Sequence, residues 1–156
     1  MRLALAALLL TGTAHAQTVL ARDGDWTAVF LPKTCAVGTE TKDAALWFKA
    51  QAGRERPFGF LQVRKASWQD VPPGDITLQF NTGERMRSPY IIDRASLTVS
   101  FVNQWPAFMR TVDAMTTARE ATISIGRDPM RVALNVPEPV VAAFRACIAE
   151  RLPPET

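Results

Sequence analysis

Apolar and polar side chains alternate with a period of two in several stretches of this chain, the mark of strands with one buried face. Ser96-Leu97-Thr98-Val99-Ser100-Phe101 is the clearest case: Leu97, Val99 and Phe101 point one way and the hydroxyls the other. Asp75–Phe80, Ala121–Ile125 and Arg131–Val136 repeat the alternation. Trp26–Leu31, Leu46–Ala50 and Phe58–Lys65 are more continuously apolar, which predicts strands covered on both faces. Tyr90-Ile91-Ile92 completes the set. The links are short and suit antiparallel pairing. Asn81-Thr82-Gly83 joins Phe80 to a strand over Arg85–Ile92, Asp93-Arg94-Ala95 is equally tight, and Gly126-Arg127-Asp128-Pro129 turns between the last two strands. Val71-Pro72-Pro73-Gly74 is a stiff break with strands on both sides.

Two segments carry a helical period instead. Asn103 is placed to cap the first, with Pro106 in its opening turn and Trp105, Phe108, Met109, Val112 and Met115 on one face. The second opens at Pro137-Glu138-Pro139, where proline suits a helix start, and Val140, Phe144, Cys147, Ile148 and Arg151 follow its spacing. Hairpin-linked strands with no regular βαβ alternation predict a mainly β, α+β fold: an antiparallel sheet or sandwich with two packed helices, one late in the chain and one C-terminal.

The N-terminal segment does not join this pattern. Arg2, the Leu and Ala run Leu3–Leu10 and the small residues of Ala14-His15-Ala16 read as a secretory signal cut before Gln17. A spanning helix needs about 20 apolar residues, and Thr11, Gly12, Thr13 and His15 interrupt the run. The expected organisation is residues 1–16 as signal and 17–156 as a single domain, periplasmic or secreted, with no transmembrane segment after cleavage.

Cleavage changes the chemistry. Residues 17–156 carry 17 basic and 15 acidic side chains, a net charge of +2 that gives no argument for nucleic acid. His15, the only histidine of the chain, leaves with the signal. Without imidazole, Ser-His-Asp and Cys-His catalysis and histidine-ligated zinc are excluded. No phosphate loop, dinucleotide fingerprint or Gly-x-Ser-x-Gly elbow is present, so no cofactor is expected. Cys35 and Cys147 are the only thiols; in an oxidising compartment two cysteines far apart in sequence predict one structural disulfide rather than a redox pair.

The remaining candidates are surface groups. Arg54, Arg56, Arg64 and Lys65 form one basic set, and Arg85, Arg87 and Arg94 another. If they converge they would hold an acidic partner, although the interleaved Glu55, Glu84 and Asp93 also fit a solvated face of ion pairs. Of the four tryptophans, Trp26, Trp47 and Trp105 sit in apolar patterns and read as core. Trp68 lies in the polar Ser67-Trp68-Gln69-Asp70 and reads as an exposed contact, so Trp68, Arg64, Arg85 and Arg87 are the candidate partner contacts. Asp23 and Asp25 flank Gly24 as turn acids.

The Gly24-Asp25-Trp26 opening followed by Cys35, the β-rich middle, the helix around Phe108, the late hairpin and the closing Val141-Ala142-Ala143-Phe144 helix together resemble the invasion-associated locus B family of exported bacterial proteins. A further central cysteine pair and a glycine before the last helix, both typical of that family, are absent from this chain. The resemblance implies an envelope protein associated with host-cell interaction and no established active site. The export signal, the missing imidazole and the lack of a catalytic constellation point to a non-enzymatic interaction module, its partner an envelope or host protein or an acidic glycan. An inhibitor or chaperone-like partner of an envelope enzyme is a further option. The rival is a carboxylate-dependent hydrolase acting on glycans, which needs only two suitably separated acids; Asp70, Asp75, Glu84, Asp93, Asp113 and Glu120 are the candidates. Intact-mass measurement of exported protein is expected to show a chain starting at Gln17, and a start at Met1 would remove the signal reading.

Overall fold

The computed structural model describes residues 17–93, 96–102 and 104–152. Two antiparallel sheets and two helices share one core. The larger sheet has the strand order β1-β2-β3-β4-β5-β9-β8 and the smaller has β11-β10-β6-β7. In chain order the strands are β1 Thr18–Asp23, β2 Trp26–Leu31, β3 Thr34–Glu40, β4 Ala44–Gln51, β5 Phe58–Lys65, β6 Asp75–Phe80, β7 Arg85–Pro89, β8 Ile91–Asp93 and β9 Ser96–Ser100, then β10 Glu120–Ile125 and β11 Asp128–Ala133. Helix α1 spans Trp105–Thr117 and α2 spans Glu138–Arg151. This is the mainly β, α+β sandwich with a late and a C-terminal helix that the periodicity predicts.

Cross-strand register sorts the large sheet into two faces. The rows Ala28–Val37–Phe48–Leu61–Val99 and Thr39–Leu46–Val63–Leu97 turn inward. They meet Ile76, Leu78, Phe80 and Ile123 of the small sheet and Phe108, Val112, Val140 and Phe144 of the helices in a single apolar cluster. Helix α2 lies over β1, β2 and β3, while α1 rests on β5. Gly59 makes the second contact close: a Cβ there would enter the Phe108 ring, so only glycine lets α1 sit at this depth.

Several elements depart from the alternation pattern, each for a physical reason. Strands β1 and β3 have no period-two signal. β3 is buried on both faces for most of its length and is built of small residues, Cys35 and Val37 inward and Ala36 and Gly38 outward. The Arg85–Ile92 run is two strands. It breaks at Tyr90, which crosses from the small sheet to the large one, is buried, and donates its hydroxyl to the Pro72 carbonyl at 2.5 Å. The double cover expected for β2, β4 and β5 is partial: Val29 and Ala36 are buried on the outer face, but Trp47, Lys49 and Phe60 beside them are half-buried. Asn103, the expected helix cap, and Arg94 and Ala95 of the expected tight link lie outside the described residues, as do residues 1–16. Gln104 occupies the cap position of α1, and Pro106 falls in its first turn as expected.

A disulfide joins Cys35 on β3 to Cys147 on α2, with Cα atoms 5.9 Å apart across a sequence separation of 112. Both residues are buried, so the bond fixes α2 on the sheet from within the core. Among the described residues no helix is long and apolar enough to cross a membrane. Closing a loop of this length stabilises by about 5 kcal/mol in the chain-entropy treatment. Cys147→Ser is therefore expected to lower unfolding free energy by several kcal/mol, as measured by urea titration, with the reduced wild type falling to the same level.

Candidate functional site

Clefts open on the surface among the described residues, and two of them follow seams between unlike elements. One, about 740 Å³, runs between the edge strand β7 and helix α1. The Asn81-Thr82-Gly83 turn positions β7: Gly83 takes φ +110°, Gly83 N–H donates to the Phe80 carbonyl at 3.0 Å, and Phe80 N–H donates to Glu84 at 2.9 Å. The cleft floor is apolar, formed by Phe80, Met86, Phe101, Ala107 and Ala114. Its rim carries Arg85 and Arg87 from β7 and Arg110 from α1, against the single acid Glu84. Arg87 Nε bonds Asp75 Oδ2 at 2.9 Å with both groups well exposed. Among the described residues Arg85 and Arg110 make no ion pair. The Thr82 hydroxyl bonds the Glu84 carboxylate and holds its pKa below the ordinary carboxylate value, so the acid stays charged at the turn.

The second cleft, about 440 Å³, lies between the β11 edge with the entry to α2 and the turns at one end of the large sheet. Asp23 and Asp25 line it at a two-residue turn whose Gly24 has φ +56°, the turn chemistry expected of them, and Arg131 of β11 lines it too. The third, about 240 Å³, is a shallow groove on the outer face of the large sheet beside Trp47, Lys49, Gln62 and Arg64. The Trp47 ring lies across Gly38 on this outer face, half-buried. That corrects its assignment to the core, and the cause is register: Trp47 pairs with Gly38 and Gln62, while its neighbours Leu46 and Phe48 turn inward. Trp26 is core as expected, and Trp105 is half-buried against Phe108. Lys49 donates to Gln62 at 2.5 Å, and burial pushes its pKa below the usual lysine value.

The residues singled out as partner contacts are distributed among different places. Trp68 is a correction: it is buried, 3% exposed. A 3₁₀ turn over Ala66–Trp68 follows β5 and rotates the indole inward while Ser67, Gln69 and Asp70 stay in water, so the polar neighbours mark the turn and not the ring. The indole N–H donates to Asp128 Oδ2 at 2.8 Å, Ser67 donates to the same oxygen at 2.9 Å, and Lys65 bonds Asp128 Oδ1 and the Pro129 carbonyl. This cluster clasps the end of β5 to the start of β11, one sheet to the other. Arg64 is occupied in the fold, 2.6 Å from Glu40 and bonded to the carbonyls of Thr41 and Lys42. Arg54 and Arg56 lie in the β4–β5 loop, at the far end of β5 from Arg64 and Lys65. Arg64 and Lys65 are thus tied into the fold away from Arg54 and Arg56, and Arg94 lies outside the described residues; Arg85 and Arg87 alone of the four named contacts share a cleft. Arg110, which joins them from α1, carries no signal in the sequence beyond being a polar position on an amphipathic helix.

The carboxylates proposed for hydrolysis are also dispersed. Asp75 pairs with Arg87, Asp113 bridges α1 to Arg145 of α2 at 2.8 Å, and Glu84 is the one of the six that lines any of these three clefts. No set of three or more metal-ligating side chains is gathered among the described residues. No family model, curated protein or solved structure matches this chain.

The hydrogen bonds from Lys65 and Ser67, with that of Trp68, hold the Asp128 carboxyl below the ordinary carboxylate value. A carboxylate depressed in the folded state adds stability above its unfolded pKa and loses it as pH falls through the folded one. Asp128→Asn is expected to be less stable than wild type at pH 7. The gap should close as pH drops below the ordinary carboxylate range, in urea titrations followed by tryptophan fluorescence.

Proposed function

We propose that this chain is an exported, non-enzymatic binding module of the bacterial envelope, in keeping with its resemblance to the invasion-associated locus B family, and that it holds an acidic partner in the cleft between β7 and α1. The supporting observation is the composition of that cleft: three exposed arginines and one glutamate bordering an apolar floor, in a volume typical of ligand sites. Cations on the rim steer an acidic partner and set its orientation, while the floor buries apolar groups that give the contact its lifetime. The three clefts together unite no two of the six candidate acids, which weighs against the glycan hydrolase.

Calorimetric titration with an acidic peptide and with a polyuronate separates the two partner chemistries. The wild type is expected to bind one of them saturably and more weakly as salt rises. Arg85→Ala with Arg110→Ala should weaken that binding about tenfold, since each exposed charge pair is worth up to about 1 kcal/mol, with the melting temperature unchanged. Cleavage of envelope glycans by the purified protein, abolished by a carboxylate substitution, would overturn the reading.

A further inference from the structure

The free side of β7 determines what form of acidic partner the cleft admits. The small sheet has two edges, β7 and β11, and no strand covers β7 among the described residues. Two backbone bonds fix the phase of the strand: Phe80 N–H to the Glu84 carbonyl at 2.9 Å and Tyr90 N–H to the Gly74 carbonyl at 3.2 Å. In an antiparallel ladder alternate residues face the partner strand. Glu84, Met86, Ser88 and Tyr90 thus turn their backbone groups toward β6, and Arg85, Arg87 and Pro89 turn theirs outward. The edge offers the N–H and C=O of Arg85 and Arg87 and the C=O of Pro89.

Side chains on the same strand alternate in the other sense. Met86 pairs with the buried Leu78 and points to the apolar floor, whereas Arg85 and Arg87 lie on the opposite, outer face with Gln79 and Thr77. A strand laid against this edge would place every second side chain beside the two arginines and the others over the floor near Phe80 and Phe101. Opposite charges on neighbouring strands attract and like charges repel. The arginines and the missing N–H of Pro89 therefore disfavour a second copy of β7 and favour a strand with acids at alternate positions.

We infer that the cleft takes an extended polypeptide of about five residues with alternating acidic and apolar side chains, added as a fifth strand to the small sheet along β7. This rests on the cleft being the binding site and specifies the partner as polypeptide rather than glycan. Main-chain bonds to Arg85 and Arg87 give affinity, and the alternation gives specificity. The edge of β11 does not offer the same site. Pro129 removes one outward donor there, and the Pro129 carbonyl already accepts from Lys65 at 3.0 Å.

The test uses a blocked heptapeptide of alternating Glu and Val, titrated into the protein from residue 17 onward, with two N-methylated versions. Methylation at the Glu positions removes the donors that face β7; methylation at the Val positions leaves them. The expected result is at least tenfold weaker binding for the first and less than threefold change for the second, with slowed amide exchange at Arg85 and Arg87 on adding the parent peptide. Equal binding of both methylated forms, without protection of those amides, would overturn strand addition while leaving an acidic-ligand cleft. Binding by polyuronate and not by the parent peptide would overturn the polypeptide assignment and keep the module reading. Failure of both the peptide and the polyuronate to bind would remove both.

Discussion

The seven-stranded sheet has an apolar face that needs cover, and the four-stranded sheet is too narrow to supply it. At a strand spacing near 4.8 Å the large sheet is about 34 Å across and the small one about 19 Å. The uncovered width, about 15 Å, is somewhat more than one helix diameter. Helices α2 and α1 take up this remainder, α2 over β1–β3 and α1 against β5. Most of the other features follow from that shared layer. The disulfide fastens α2 to β3, and Gly59 allows α1 to settle to the depth of the inner side chains.

A layer made from a sheet and two helices has seams, and the two larger clefts lie along them. One follows β7 and α1; the other follows β11 and the entry to α2 at Pro137. Sheet edges and helix flanks do not interdigitate as two sheets do, so side chains on either side leave space. The location of a candidate binding surface is thus a consequence of how the core is closed. The third groove, on the outer face of the large sheet, has a different origin: it forms where Gly38 and Ala36 leave room around Trp47 and Lys49.

Much of the architecture was legible in the sequence because most strands have one wet face. β6, β9 and β10 declare themselves by alternation, and the helical phase of Phe144 and Cys147 places the disulfide inside the core. What was hidden depends on burial that a linear pattern does not record. β3 is covered on both faces and carries small residues, so its period vanishes. Nothing in Arg85–Ile92 marks Tyr90 as the point where the chain changes sheets. Trp68 misleads for a related reason: polarity of neighbours reports the surface of a turn, whereas its own indole is aimed across the molecule at Asp128. The same holds for the basic residues. Arg64 and Arg85 look alike in sequence, yet one straps the β3–β4 turn and the other faces water beside a cleft.

The Cys35–Cys147 bond reaches from the third strand to the last helix and so encloses nearly all of the chain between them, including both hairpins of the small sheet and the whole of α1. A protease that nicks any exposed loop within that span, such as the Arg54–Arg56 segment, severs the backbone without releasing either piece. The two fragments stay covalently joined and held by the same core. In a compartment rich in peptidases such a molecule survives a first cut as a two-chain protein, and only loss of the thiol link turns damage into separation.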